Sequence, residues 1–172
     1  MRKGYVQVYT GNSKGKTTAA LGLALRAAGA GLKVFIAQFI KKRRCSEHKA
    51  LDRFKDLITV KQYGTGFIKG EKPTQSEIEA AQKGFEEVKN IISSKTYDLV
   101  VLDEINVAVH YKLLNVEDIV DLLNSRPSGM EVVLTGRYAD EKIIEMADLV
   151  TEMKEIKHYY KKGVKARRGI EH

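Results

Sequence analysis

Thr10-Gly11-Asn12-Ser13-Lys14-Gly15-Lys16-Thr17-Thr18 is the stretch whose reading decides the fold. A short apolar strand pattern, Tyr5-Val6-Gln7-Val8-Tyr9, leads into it, and a helix-like run from Ala19 to Ala28 leaves it. Strand, glycine-rich turn, Lys-Thr and helix, in that order, give a phosphate-loop match its mechanism. The glycines Gly11 and Gly15 let backbone N–H groups of the segment from Gly11 to Thr18 fold around phosphate oxygens, and the helix N-terminus adds partial positive charge. Lys16 places a point charge on the phosphates, and the Thr17 hydroxyl is a ligand for Mg²⁺. The loop departs from the common spacing, in which a glycine stands five residues before the Gly-Lys pair. Here Thr10 holds that place, the glycine follows at Gly11, and Lys14 puts a second cation inside the loop. A nucleoside triphosphate is the expected ligand.

Working outward, strand and helix patterns alternate along the chain. Lys33 to Gln38 reads as a second strand, Ser46 to Phe54 as a short helix, and Ile58 to Tyr63 as a third strand. Thr74-Gln75-Ser76-Glu77 is a capping box opening a long amphipathic helix with Ile78, Ala81, Phe85, Val88 and Ile92 on one face. Asp98 to Asp103 is apolar on both faces and reads as a central strand. Asn115 is expected to cap a helix over Val116 to Leu123. Glu131 to Leu134, Asp140 to Ala147 and Leu149 to Met153 read as strand, helix and strand. The expectation is an α/β fold: one nucleotide-binding domain over residues 1–172, with a three-layer parallel sheet of about six strands of the P-loop, RecA-like kind, and a polar C-terminal tail from about residue 154. Ligands of such sheets sit at the carboxyl ends of the strands. Those ends carry the phosphate loop, Gln38, Thr65-Gly66-Phe67, Asp103-Glu104 and Thr135-Gly136-Arg137.

Size and charge agree with that picture. A chain of 172 residues that is 43% apolar with two prolines is long enough for a real core. No run of about 18 apolar residues predicts a membrane span, and Met1-Arg2-Lys3-Gly4 leads into the first strand without a signal-peptide core. Cys45 is the only cysteine, which excludes an internal disulfide and a multi-cysteine metal site. A cytoplasmic location is expected. The net charge of +8 suits a polyanion. The basic runs Lys41-Lys42-Arg43-Arg44 and Lys161-Lys162, Lys165, Arg167-Arg168 lack interleaved aromatics, so no nucleic-acid platform is expected.

Val100-Val101-Leu102-Asp103-Glu104 is an apolar strand closing on two acids, the second half of a Mg²⁺-nucleotide site. Thr17 and Glu104 are the expected ligands of Mg²⁺, with Asp103 ligating directly or through water. Arg137 follows a glycine at a strand end and can reach phosphate or ribose; Arg26 faces either nucleotide or solvent. His48, His110, His158 and His172 show no metal-ligand spacing, and His110 borders the acid pair. No activated serine or cysteine is evident, so the nucleophile is expected from water or a substrate.

Several blocks, in order over almost the whole chain, resemble the P-loop ATP:corrinoid adenosyltransferases. They are the loop Thr10 to Ala20, Gln38-Phe39-Ile40-Lys41, Thr65-Gly66-Phe67, Leu102-Asp103-Glu104, Asn124-Ser125-Arg126-Pro127, Thr135-Gly136-Arg137, Lys157-His158, Gly163-Val164-Lys165-Ala166 and Gly169-Ile170. The resemblance implies that a reduced corrinoid (cobalamin, cobinamide or a cobyrinic acid diamide) attacks the 5′ carbon of ATP through its cob(I) centre, and that triphosphate leaves. It implies that Gly11 through Thr18 hold the triphosphate, that Lys16 stabilises its departure, that Thr17 and Glu104 hold Mg²⁺ (or Mn²⁺), and that Arg26 and Arg137 position ATP. Phe67 matches an aromatic suited to displacing the axial ligand of cob(II). A second family aromatic falls at Lys69 here, so Phe67 acts alone or with Tyr63 or Phe39. An electron donor such as a flavodoxin or flavin reductase and a homodimer are implied as partners. Two rivals predict different observables: a phosphoryl-transfer enzyme or ATPase would yield ADP and phosphate, and a nucleic-acid-stimulated ATPase would bind DNA or RNA with steep salt dependence.

Overall fold

The computed structural model describes residues 3–66 and 72–171. The elements run β1 (Val6–Thr10), α1 (Lys16–Gly29), β2 (Val34–Gln38), α2 (Ser46–Leu51), β3 (Ile58–Gln62), α3 (Gln75–Ser93), β4 (Leu99–Asp103), α4 (Ile105–His110), α5 (Val116–Ser125), β5 (Glu131–Thr135), α6 (Glu141–Met146) and β6 (Leu149–Glu152). Single 3₁₀ turns follow α2 at Asp52–Phe54 and β6 at Tyr159–Lys162.

The six strands form one sheet in the order β3-β2-β4-β5-β1-β6, and every pairing is parallel. Strand alternation sorts the core into two faces. Val34, Ile36, Leu99, Val101 and Val133 pack under α1, whose Ala20, Ala24, Ala27 and Ala28 allow close approach. Phe35, Ala37, Val100, Leu102, Val132 and Leu134 face the other way, toward α3, α4, α5 and α6. β2 and β4 are buried at every position, the mark of a parallel sheet covered on both faces. Removal of each such Val, Leu or Ile from water contributes about 1.5–3 kcal/mol.

The capping box at α3 is formed as expected: Thr74 Oγ1 accepts from the Glu77 N–H, and Glu77 Oε2 accepts from the Thr74 N–H. Asn115 does not cap α5 through its side chain; its amide donates to Asp118 Oδ2 at 3.3 Å instead. α4 is an addition to the sequence reading. Its Ile-Asn-Val-Ala-Val-His run is short and rich in β-branched residues, and Glu104 at its start makes no side-chain cap.

Candidate active site

The carboxyl ends of β1, β4 and β5 meet at one edge of the sheet. After β1 the chain turns through Gly11 to Gly15 into α1. Gly11 has φ 98°, and a Cβ there would lie 2.5 Å from the Met153 carbonyl oxygen. Met153, just beyond β6, donates its N–H to the Thr10 carbonyl at 2.8 Å and accepts from the Ser13 N–H at 3.0 Å. The shifted glycine is therefore required by close packing of the loop on the segment after β6. Gly15 starts α1 with no side-chain cap and no acid in the first turn, so the helix N-terminus presents its N–H groups to an anion.

Lys16 is 8% exposed. Its ammonium spans the loop, donating to the carbonyls of Gly11 at 2.8 Å and Ser13 at 2.6 Å. Burial holds its pKa below the ordinary lysine value; Glu104 and Asp103 partly offset this, and Arg137 adds to it. Two carbonyl dipoles leave the positive charge largely uncompensated, and a phosphate is a better partner.

Asp103, at the end of β4, is 1% exposed and accepts four hydrogen bonds. The hydroxyls of Thr17 and Thr135 each reach Oδ1 at 2.8 Å, while Gln38 Nε2 and Lys41 Nζ reach Oδ2 at 2.9 and 3.2 Å. Lys41 also lies 3.5 Å from Thr17 Oγ1. Burial works against the Lys41 charge, but Asp103, Glu47 and Glu104 outweigh it and hold its pKa above the ordinary value. Behind Gln38 stands His48, which is buried. Its Nδ1 accepts from the Cys45 N–H at 2.8 Å, so its Nε2 donates to Gln38 Oε1 at 2.7 Å. His48 thus orients the amide that holds Asp103. Cys45, Glu47 and His48 offer donor atoms within 4.8 Å of one another, but both His48 nitrogens are engaged in these bonds.

Glu104 turns the chain from β4 into α4 with φ 62°, a left-handed conformation that costs a non-glycine residue about 1–3 kcal/mol. Its N–H donates to Thr135 Oγ1 at 3.0 Å. Burial raises the Glu104 carboxyl above the ordinary glutamate value and the Asp103 charge adds to this, against Lys41, Lys16 and Arg137. A desolvated carboxylate beside a second carboxylate and a threonine hydroxyl is a hard-oxygen set that a divalent cation fits.

Arg137 is exposed at the mouth, close enough to Lys16 and Glu104 for its charge to act on both. Gly136 before it has φ 131° and packs on α4, where the Asn106 amide donates to the Gly136 carbonyl at 3.4 Å. Asn12 and Thr18 are exposed along the loop and the first turn of α1. Arg26 is not brought to the loop. It stands in the last turn of α1, ten residues beyond Lys16, about 15 Å along the axis. Lys14 points to the C-terminal segment. Phe67 lies outside the described residues. Phe39 is buried in the core with its ring 5.8 Å from that of Tyr63. His110 stacks on Tyr138 at 4.1 Å, at the far end of α4 from the acids. Of the partners of Asp103, Gln38 and Thr135 were legible only as polar residues at strand ends, Thr17 as a phosphate-loop hydroxyl and Lys41 as part of a basic run, and the role of His48 had no local signal.

A parallel sheet with a glycine-rich loop feeding a helix N-terminus, a lysine spanning that loop and acids on a neighbouring strand end defines a P-loop nucleotide-binding domain of the RecA-like class. Among solved structures, a KaiC-like protein from Pyrococcus horikoshii OT3 superposes with a TM-score of 0.57 over 90% of this chain and 75% of its own, at 13% identity, a likeness of fold. The profile of the family described as ATP:corrinoid adenosyltransferase BtuR/CobO/CobP matches residues 2–172. Corrinoid adenosyltransferases of Sinorhizobium sp and Escherichia coli (strain K12) are 38% and 37% identical, with 98% and 99% of this chain aligned to 80% and 86% of theirs. That of Pseudomonas aeruginosa is 36% identical over 98% of this chain and 84% of its own. The chain belongs to the ATP:corrinoid adenosyltransferase family.

Proposed function

We propose that this chain is a transferase that moves the 5′-deoxyadenosyl group of ATP to the cobalt of a cob(I) corrinoid. The electron pair of cobalt forms the cobalt–carbon bond, the C5′–oxygen bond breaks, and its electrons leave with inorganic triphosphate. The observation that carries this reading is the family match over residues 2–172. The geometry supports it: the loop offers backbone N–H groups, a helix N-terminus and Lys16 where negative charge gathers on the leaving group. Thr17 and Glu104, with Asp103 directly or through water, would hold Mg²⁺ (or Mn²⁺), which would add positive charge beside the phosphates. Arg137 reaches the triphosphate from the mouth. Arg26 stays within the proposal as an ATP-positioning residue only if nucleotide extends along α1.

The decisive experiment incubates the protein with ATP, Mg²⁺ and a chemically reduced corrinoid, then records the visible spectrum and assays triphosphate. An alkylcobalt spectrum with intact triphosphate is expected; ADP and phosphate would overturn the reading in favour of hydrolysis.

The finer assignments form part of the same proposal. One domain carries the activity. The electron donor is a flavodoxin or flavin reductase. The protein works in the cytoplasm without nucleic acid; among the described residues no helix is long and apolar enough to cross a membrane. It acts as a homodimer: β6 is an edge strand paired only with β1, and Leu149 and Val150 on it are 45% and 41% exposed. Phe67 displaces the axial ligand of cob(II), so Phe67→Ala is expected to slow adenosylation of enzymically reduced cob(II) at least about tenfold more than that of pre-reduced cob(I). Equal losses in the two assays would reject that role.

A further inference from the structure

Lys14 lies inside the phosphate loop, yet its ammonium is turned toward the last residues of the chain. It donates to the Tyr159 hydroxyl at 2.9 Å, the Ile170 carbonyl at 3.3 Å and Glu171 Oε1 at 2.8 Å. An ammonium has three N–H groups, so this set is complete. The Tyr159 hydroxyl bonds the same carboxylate oxygen of Glu171. Arg167 closes the cluster from the other side. Its N–H donates to Glu171 Oε2 at 2.7 Å, its Nη2 lies 3.1 Å from Oε1, and its guanidinium stands 5.1 Å from the centre of the Tyr159 ring. Hydrogen bonds from Arg167, Lys14 and Tyr159 hold the Glu171 carboxyl far below the ordinary glutamate value.

The loop backbone is stitched to the same region, since Ser13 donates to the Met153 carbonyl at 3.0 Å. One side of the phosphate loop is therefore walled by residues beyond β6. If Lys14 left this cluster for a phosphate, Glu171 would keep Arg167 as its only cation while a polyanion sat nearby. As it stands, the pair screens the carboxylate from the loop.

We propose that Lys14 is not a phosphate ligand but the fastening of the C-terminal segment to the phosphate loop, and that Glu171 and Tyr159 are positioning residues that shape the loop for triphosphate. The inference rests on the reading of the loop as a triphosphate site and deepens it. It replaces the expectation that Lys14 grips the nucleotide. Lys16 is then the lysine of the loop that meets the phosphates.

The test titrates the 172-residue chain with inorganic triphosphate and with Mg-ATP, without corrinoid, by calorimetry. Lys14→Met and Glu171→Gln are each expected to weaken binding about fivefold to tenfold, and the double variant is expected to be no weaker than the worse single, because both break one unit. Tyr159→Phe, which removes one hydroxyl and leaves the fold intact, weakens binding less and in the same direction. In Glu171→Gln without ligand, amide exchange over residues 11–18 accelerates. Losses that multiply in the double variant would make Lys14 a phosphate ligand and overturn the proposal; so would a Glu171→Gln protein that binds like the wild type. If the wild type bound neither ligand, the triphosphate reading would fall, and unchanged loop exchange in Glu171→Gln would separately remove the brace.

Discussion

At the scale of single residues, the proposed chemistry turns on two contrasting side chains. Lys16 is a buried cation held only by carbonyl dipoles, whereas Asp103 is a buried anion whose two oxygens are both filled. The first is open to a ligand, and the second is held in place by four neighbours, one of them the Thr17 hydroxyl of the proposed cation site. Lys16→Ala is expected to cut adenosylation at least about a hundredfold, since it removes the charge facing the departing triphosphate; near-normal turnover in the spectral assay would reject that role. Glu104 supplies a pH signature. Burial raises its carboxyl in the folded chain, while the unfolded chain has the ordinary value. At neutral pH the folded state therefore carries a partly desolvated charge at a cost, and that cost is relieved as pH falls through the raised value. Glu104→Gln should melt higher than the wild type near neutral pH without ligand, with the difference closing on acidification. With Mg-ATP the order should reverse, because only the wild type keeps the carboxylate for the cation. Thermal melts with and without Mg-ATP check both signs, and identical melts would exclude a desolvated Glu104.

At the scale of elements, caps and close approaches set where the site residues stand. α1 is left uncapped at Gly15, which leaves its N-terminus open to the proposed triphosphate, while α3 is capped on both counts by Thr74 and Glu77. Thr74→Ala should cost about 1 kcal/mol of stability and lower the melting temperature by about 2–4 °C. Affinity for Mg-ATP should not change, because the box serves only its own helix; a calorimetric loss of nucleotide binding would contradict that. α4 shows how an element escapes sequence reading. It follows β4 with one intervening residue, Glu104, in a left-handed conformation, and its short β-branched run carries no helical signal of its own. Packing of Ile105, Ala108 and Val109 into the core makes it a helix.

At the scale of the whole molecule, the net charge of +8 and the exposed edge of the sheet set its dealings with partners. Positive charge favours encounter with ATP, and that encounter should weaken as salt is added. The edge strand β6 bears the proposed dimer contact. Val150→Lys should convert a dimer to a monomer in sedimentation while the far-ultraviolet circular dichroism stays that of the wild type. A wild-type chain that sediments as a monomer at micromolar concentration would remove the dimer from the proposal.

The phosphate loop, the strand–helix alternation, the capping box and the polar strand ends were all set by local sequence. Each is an interaction of residues a few positions apart: a glycine's backbone freedom, a 3.6-residue or two-residue period, a side chain reaching its own helix. The tertiary structure alone decided that Asp103 meets Thr17 across 86 positions of chain, that Arg26 stands away from the loop, and that Lys14 turns to Glu171 across 157. A charged side chain takes whichever counter-charge the folded backbone brings near it. That choice depends on sheet order and on where the chain returns, which no local pattern encodes.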